Sequence, residues 1–310
     1  MTNNFSCNKR YYTLDSYLKS TFGCKVAKIS LNAGFSCPNR DGTKSYNGCI
    51  YCSPMASGDF AGDKNKDIVS QFSDIKAVID KKWKNAKYIP YFQAGTNTYA
   101  PLPVLKKMYE TALSLPDIVG LSIATRPDCI SDDTLEYLHE ISNRTYLTVE
   151  LGLQTIHDKT GKLINRQTDF SDFCKCYEKL KSRNINICVH LINGLPGENY
   201  EMMIESVKAI SEMHPHSIKL HMLHILKNTE AEKMYLNGKI KLFEPFEYIN
   251  LICDQLEYIR PDIVIQRITG DGSRDTLVAP LWSIKKFNVL NGVDKELKRR
   301  DSYQGIKCAF

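Results

Sequence analysis

Six short apolar runs alternate with amphipathic stretches across the middle of this 310-residue chain, and that alternation restricts its fold more than any other feature. The runs cover residues 26–31, 87–93, 118–124, 147–152, 187–192 and 217–222. Between them, residues 67–83, 102–113, 132–141, 170–183 and 198–213 carry apolar side chains at helical spacing, with Ser131 placed to cap the third of these helices. Strands and helices in this order form successive βα units around a parallel sheet. The pattern predicts an α/β fold, a partial (β/α)6 TIM-like barrel with a short C-terminal extension. The extension reads as a helix over 244–260, one more strand over 262–268 and a last helix from Trp282. The predicted organisation is an N-terminal basic segment (1–25), a core barrel (26–225) and an extension (226–310) packed on the barrel. Chemistry in such barrels sits on the loops at the C-terminal strand ends.

The loop after the first run carries the strongest chemical signal. Residues 33–57 hold Cys37, Cys49 and Cys52 at Cys-x11-Cys-x2-Cys spacing, with Gly42 and Gly48 among them and no fourth cysteine. Cysteine thiolates are the usual ligands of iron–sulfur clusters, and a cubane normally takes four. Three ligands leave one metal corner open, and an open position marks a catalytic metal site. The competing reading is a zinc knuckle completed by Cys7, Cys24 or a histidine. Zinc ribbons usually show two Cys-x2-Cys pairs, however, and this loop has one.

Composition narrows the setting. The chain is 43% hydrophobic and 25% charged, as expected of a globular protein. It has no apolar run near 18 residues, and its polar N-terminus lacks a signal-peptide core. Eleven cysteines without such a signal fit a reducing cytoplasm, where clustered cysteines bind metal. The net charge of +6 gathers at the ends: Lys9, Arg10, Lys19, Lys25 and Lys28 at one, and Lys285, Lys286, Lys295, Lys298, Arg299, Arg300 and Lys307 at the other. Basic ends suit a polyanion such as RNA, although a solvated charged face accounts for them equally well.

The cysteine loop resembles the cluster loop of the radical S-adenosylmethionine (SAM) superfamily, in the branch related to the elongator catalytic subunit. Further motifs carry the resemblance. Gln93-Ala94-Gly95-Thr96-Asn97-Thr98-Tyr99 stands where the family has a turn for the SAM amino group; it lacks the usual acid there, which leaves backbone carbonyls and Thr96. Thr125-Arg126-Pro127-Asp128 matches the TRPD signature of this branch. Glu150 and Gln154 match positions that approach the SAM ribose and methionine, and Arg166 one that meets the SAM carboxylate. Gly194-Leu195-Pro196-Gly197-Glu198 matches a turn along the adenine. With ITGDG and APLWSIKKFNVLN near the C-terminus, the whole is most similar to the YtqA/YhcC-type bacterial family. The resemblance implies a [4Fe–4S] cluster and SAM as cofactors, tRNA as substrate through wobble-uridine C5 chemistry of aminomethyl type, and an electron donor such as flavodoxin or ferredoxin. The acetyl-CoA reaction of the elongator subunit is not carried over, because this chain has no room for that domain.

Two alternatives stay open: a radical SAM enzyme acting on a small metabolite, and a non-catalytic zinc or iron–sulfur binding protein. The turn at 194–198 lacks the GxxxxGK[ST] pattern of a phosphate loop. His221 and His224 could line a substrate pocket or be satisfied structural residues. Arg126 and Asp128 could pair simply to brace their loop. Cys129, Cys188 and Cys253 read as core thiols.

Overall fold

A computed structural model describes residues 9–56, 58–270, 272 and 274–308. Its elements follow in the order α1 (Leu14–Phe22), β1 (Val26–Leu31), α2 (Ile68–Asp80), β2 (Lys87–Phe92), α3 (Leu102–Leu113), β3 (Gly120–Thr125), α4 (Asp132–Ser142), β4 (Tyr146–Gln154) and α5 (Asp158–Leu163). Then come α6 (Phe170–Lys181), β5 (Asn186–Asn193), α7 (Tyr200–Met213), β6 (Ser217–Met222), β7 (Ile225–Leu226), α8 (Glu230–Leu236), α9 (Pro245–Tyr258), β8 (Val264–Arg267), β9 (Leu277–Ala279) and α10 (Lys286–Arg299). All six predicted strands are present, and Ser131 caps α4 by accepting from the Thr134 N–H. Helices α1, α5 and α8, none longer than nine residues, and the small β7–β9 ladder lie outside the predicted elements.

One parallel sheet runs β1-β2-β3-β4-β5-β6-β8, so the extension contributes a seventh strand. The far edge of β8 is covered by the segment before α1, where the Ile265 N–H bonds the Tyr12 carbonyl at 2.7 Å. The sheet is curled: the Lys28 ammonium of β1 reaches Gln266 Oε1 of β8 at 2.9 Å, across the two ends of the strand order.

Side chains alternate across the strands with a period of two. Ala27, Ile29, Leu31, Leu121, Ile123, Val149, Leu151, Val189, Leu191, Ile218 and Leu220 face outward into one apolar core beneath the helices. The intervening residues, among them Lys28, Glu150, His190 and Lys219, point into the lumen. This is an apolar jacket around a polar channel. Helices α9 and α10 pack on each other outside the barrel, and α9 also packs on α7.

The basic ends are largely neutralised within the chain. Lys9 pairs with Asp294, Arg10 with Asp301 at 3.0 Å, and Lys25 with Asp15 at 2.5 Å. Arg299 pairs with Glu296 at 2.7 Å, and Arg300 with Asp254 at 2.5 Å. The terminal charge that the sequence offers to RNA is therefore mostly committed to folding contacts.

The cysteine loop leaves β1 through one buried clamp. Gln71 of α2 accepts from the Asn32 N–H at 2.9 Å and donates to the Asn32 and Lys66 carbonyls at 2.9 and 2.8 Å. Replacing it leaves the buried Asn32 N–H and carbonyl without this partner, each costly to abandon, and frees the more exposed Lys66 carbonyl. Gln71→Ala is expected to lower stability by about 2–3 kcal/mol in urea unfolding; a change under about 0.5 kcal/mol would show that water replaces the clamp.

Candidate functional site

The cysteine loop folds back on itself through backbone bonds. The N–H groups of Arg40 and Asp41 reach the Cys37 carbonyl at 2.8 and 3.1 Å, and the Cys52 N–H reaches the Cys49 carbonyl at 3.0 Å. Gly42 adopts φ +93°, and a Cβ there would lie 2.4 Å from the Tyr46 ring, so only glycine allows this turn. A reciprocal pair ties the loop to the segment after α5. Asn39 donates to the Asn165 carbonyl at 2.6 Å, and Asn165 donates to the Gly48 carbonyl at 2.6 Å.

Cys37, Cys49 and Cys52 all line one end of a cavity of about 600 Å³ that runs down into the lumen. Among the described residues, the three potential ligand atoms that lie mutually within 4.8 Å are those of Glu150, Cys188 and His190, so the loop thiols stand farther apart than one ion requires. Asn39 Nδ2 lies 3.5 Å from Cys49 Sγ, and Arg40 Nη1 lies 3.7 Å from Cys52 Sγ. Such donors stabilise thiolate ligands and raise the potential of a cluster they hold. Burial pushes the Cys49 thiol up, so metal binding there would release a proton. Cys24 sits before β1, packed with Leu18 and Val26 at the opposite end of that strand, and cannot complete a zinc site with the loop. Cys7 lies outside the described residues.

The cavity gathers seven of the nine cofactor positions expected from sequence: Gln93, Gly95, Thr96, Thr125, Glu150, Gln154 and Arg166. Gly95, at φ +75°, has the Phe35 carbonyl 2.2 Å from where a Cβ would stand, and the Thr96 N–H bonds the Ser36 carbonyl at 3.0 Å. The 93–96 turn is thereby pressed against the cysteine loop. Thr125 shares a 2.5 Å hydroxyl contact with Thr98. Gln154, at φ +68°, keeps its buried Oε1 without a hydrogen-bond partner. This buried carbonyl on the cavity wall is an acceptor open to a polar ligand.

Gly194 and Leu195 are not part of the cavity lining. Leu195 is buried with Ile50, Ile164 and Leu223 behind the wall, and a Cβ on Gly194 would stand 3.1 Å from the Phe243 ring. This turn supports the site from outside, because the apolar side chains of the extension cover it.

Arg166 and Glu150 are engaged differently from their expected roles. Arg166 is buried, with four N–H groups held by the carbonyls of Leu153, Thr155 and Thr168 at 2.6, 2.6 and 2.8 Å and by Asp158 at 3.2 Å. It braces the turn after β4, with four of its five N–H groups committed to that turn. Arg126 grips Asp128 through two 2.9 Å bonds and donates to the Arg166 carbonyl at 2.9 Å, so the TRPD segment braces the same turn.

Glu150 lies four residues before Gln154 on β4, about 13 Å deeper in the lumen at the rise of a strand. It is fully buried, and its carboxylate accepts from Lys28 at 2.6 Å, Ser122 at 2.8 Å, His190 at 2.7 Å and Lys219. Four donors fill its lone pairs, which leaves none for a ribose diol. Although burial opposes ionisation, Lys219 and Lys28 hold this carboxyl well below its ordinary range. The same two ammonium groups make the Glu150–Cys188–His190 group hostile to a cation. Sequence reasoning missed Lys28, Lys219 and Gln266; their signal was a polar residue at alternate positions within otherwise apolar strands.

The comparisons with known proteins agree with this geometry. Residues 40–210 match the family model of the radical SAM superfamily, and residues 215–299 match that of the Radical_SAM C-terminal domain. The chain is 50% identical over 297 residues to the uncharacterized protein YtqA of Bacillus subtilis, covering 96% of this chain and 92% of that one. It is 26% identical over 193 residues to a tRNA uridine(34) acetyltransferase of Methanocaldococcus infernus, covering 61% of this chain and 34% of that one. Among solved structures, Methanocaldococcus infernus Elp3 with an N-terminal deletion superposes with a TM-score of 0.68 at 21% identity, over 91% of this chain and 64% of that chain. That last likeness concerns the fold.

Burial pushes Lys219 down to about 8 from its ordinary 10.5. Between those values the unfolded chain binds the extra proton, so this residue makes stability rise with pH through that window. Urea unfolding at pH 7.5, 9 and 10 should show wild type gaining on Lys219→Met by up to about 1.4 kcal/mol per pH unit. A difference that is flat or falls with pH would contradict the buried-ammonium assignment.

Proposed function

This chain belongs to the radical SAM superfamily and is a radical SAM enzyme; from that premise we propose that Cys37, Cys49 and Cys52 hold a [4Fe–4S] cluster and that the substrate is a uridine of tRNA. The observation that carries the reading is the cavity itself: three thiols at its mouth, with the 93–96 turn and the orphan Gln154 carbonyl beside them. A cluster held by these thiols would supply the one-electron reduction of SAM that gives methionine and a 5′-deoxyadenosyl radical.

The protein's part is binding, orientation and exclusion of water. The three thiolates fix the metal corner that faces the cavity. Asn39 and Arg40 donate to two of the sulfurs and tune their electron density. Gln93, the Gly95 and Thr96 backbone, and Thr125 receive the amino-acid end of SAM, and Gln154 Oε1 accepts from its ribose. Arg166 and Arg126 hold the turn that carries Gln154 and present little charge of their own. Glu150 fixes the lysines and histidine of the lumen below. Gly194 and Leu195 back the wall against which the nucleoside rests.

The tRNA reading rests on the relatives named for uridine 34, and the C5 side chain of that base, through aminomethyl-type chemistry, is the position proposed for attack. Acetyl transfer is not carried over, because the match covers 34% of that relative. A one-electron donor such as flavodoxin or ferredoxin completes the reaction.

Anaerobic reconstitution should load about four irons and four sulfides per chain. Changing any one of Cys37, Cys49 or Cys52 to Ala should abolish that loading; full iron in the Cys49→Ala protein would overturn the ligand assignment. Gln154→Ala should keep the cluster and weaken SAM binding about tenfold, the worth of one buried hydrogen bond. With SAM and dithionite, 5′-deoxyadenosine measured by mass spectrometry should rise when bulk tRNA is added. Production indifferent to tRNA would move the substrate to a small metabolite, and no production would overturn the radical reading.

A further inference from the structure

The Glu150 cluster at the floor of the cavity is out of electrostatic balance. Lys28 and Lys219 bring two ammonium groups to one carboxylate. No other anion faces them: burial keeps the Cys188 thiol protonated, pushed up to about 12, and holds the Tyr91 hydroxyl well above its ordinary value. Burial also keeps His190 neutral, with a pKa pushed down to about 4. The Arg267 guanidinium also acts on Lys219 and His221, so positive charge exceeds negative around the lumen, where an uncompensated charge is costly.

Hydrogen bonding locates the surplus. All three N–H groups of Lys28 are satisfied, by Glu150 at 2.6 Å, Gln266 at 2.9 Å and Ser122 at 3.1 Å. Lys219 has Glu150, the Tyr91 hydroxyl at 3.4 Å and the face of the Tyr91 ring at 4.6 Å; among the described residues its third N–H finds no nitrogen or oxygen acceptor. Two residues along the same strand, on the same face, His221 keeps a buried Nε2 without a hydrogen-bond partner. Both side chains line the cavity. Residues two apart on a strand are separated by about 7 Å, a span that a carboxylate or phosphate bridges with one oxygen to each.

We propose that the cavity floor is a subsite for an anionic group of the substrate, a carboxylate or a phosphate, received by the Lys219 ammonium and by His221 Nε2–H. The site discharges the surplus charge when filled, and it fixes the molecule from the end opposite the cysteines. The inference deepens the radical SAM reading and rests on it for the incoming molecule's being a substrate; the anion site is a property of the folded chain.

Thermal unfolding of the reconstituted full-length protein tests it, in sodium acetate, sodium phosphate or sodium chloride at equal ionic strength. Wild type should gain about 5 °C over chloride in at least one of the first two, the shift expected near a hundredfold excess over Kd. Lys219→Met should lose that gain, measured against its own melting temperature in chloride, which the loss of a Glu150 partner lowers. His221→Leu should lose at least half of it. A gain in acetate alone assigns a carboxylate, and in phosphate alone a phosphoryl group. Equal melting in all three salts, or equal gains in wild type and Lys219→Met, overturns the proposal. Deoxyadenosine formation is scored separately, so a failed anion site and a failed radical assignment give different results.

Discussion

The carboxylate of Glu150, held by Lys28, Lys219, His190 and Ser122, is the interaction on which the rest of the barrel depends. Those five residues come from β1, β3, β4, β5 and β6, and Lys28 adds Gln266 of β8. An open parallel sheet could not bring its first and last strands to one carboxylate, so satisfying this group requires the curl. Removing one partner of such a cluster strands the others, which typically costs about 3–5 kcal/mol. The network thus sets the radius of the lumen while the apolar jacket outside supplies the burial.

A polar lumen inside an apolar jacket gives the cavity two chemically distinct ends. At the mouth are three soft thiols and backbone donors, suited to a metal corner and an amino acid. At the floor are hard, charged groups with a positive surplus. Between them, β4 places Gln154 near the mouth and Glu150 near the floor. The bonds from Asn39 to the Asn165 carbonyl and from Asn165 to the Gly48 carbonyl lock the cysteine loop to the segment after this strand, so the distance between the two ends is fixed by one strand and one loop.

The fold was legible because its signals are local. Six apolar runs at βα spacing and the strand at 262–268 required no long-range information, and the three cysteines declared themselves by spacing. Two things were not. Lys28, Glu150, His190 and Lys219 each look like a lone polar residue in an apolar run until the curl brings them together, so a ribose role for Glu150 was a natural reading that ignored its neighbours. Gly194 and Leu195 sit on the correct strand end, yet Phe243 from the extension covers Gly194 and Leu195 packs behind the wall, which no local pattern reveals. The basic ends misled in part for a similar reason: Asp254 of α9 meets Arg300 only through the packing of α9 on α10, and Asp294 meets Lys9 only through the fold, whereas Glu296 and Arg299 are neighbours on one helix.

The central claim is a three-thiolate cluster whose fourth corner is open to SAM, and electron paramagnetic resonance of the reduced, reconstituted protein tests it most directly. The account predicts an S = 1/2 signal of a reduced [4Fe–4S] cluster whose g-values change when SAM is added. A signal indifferent to SAM would mean that the fourth corner is closed, and a colourless, silent protein would return the loop to zinc.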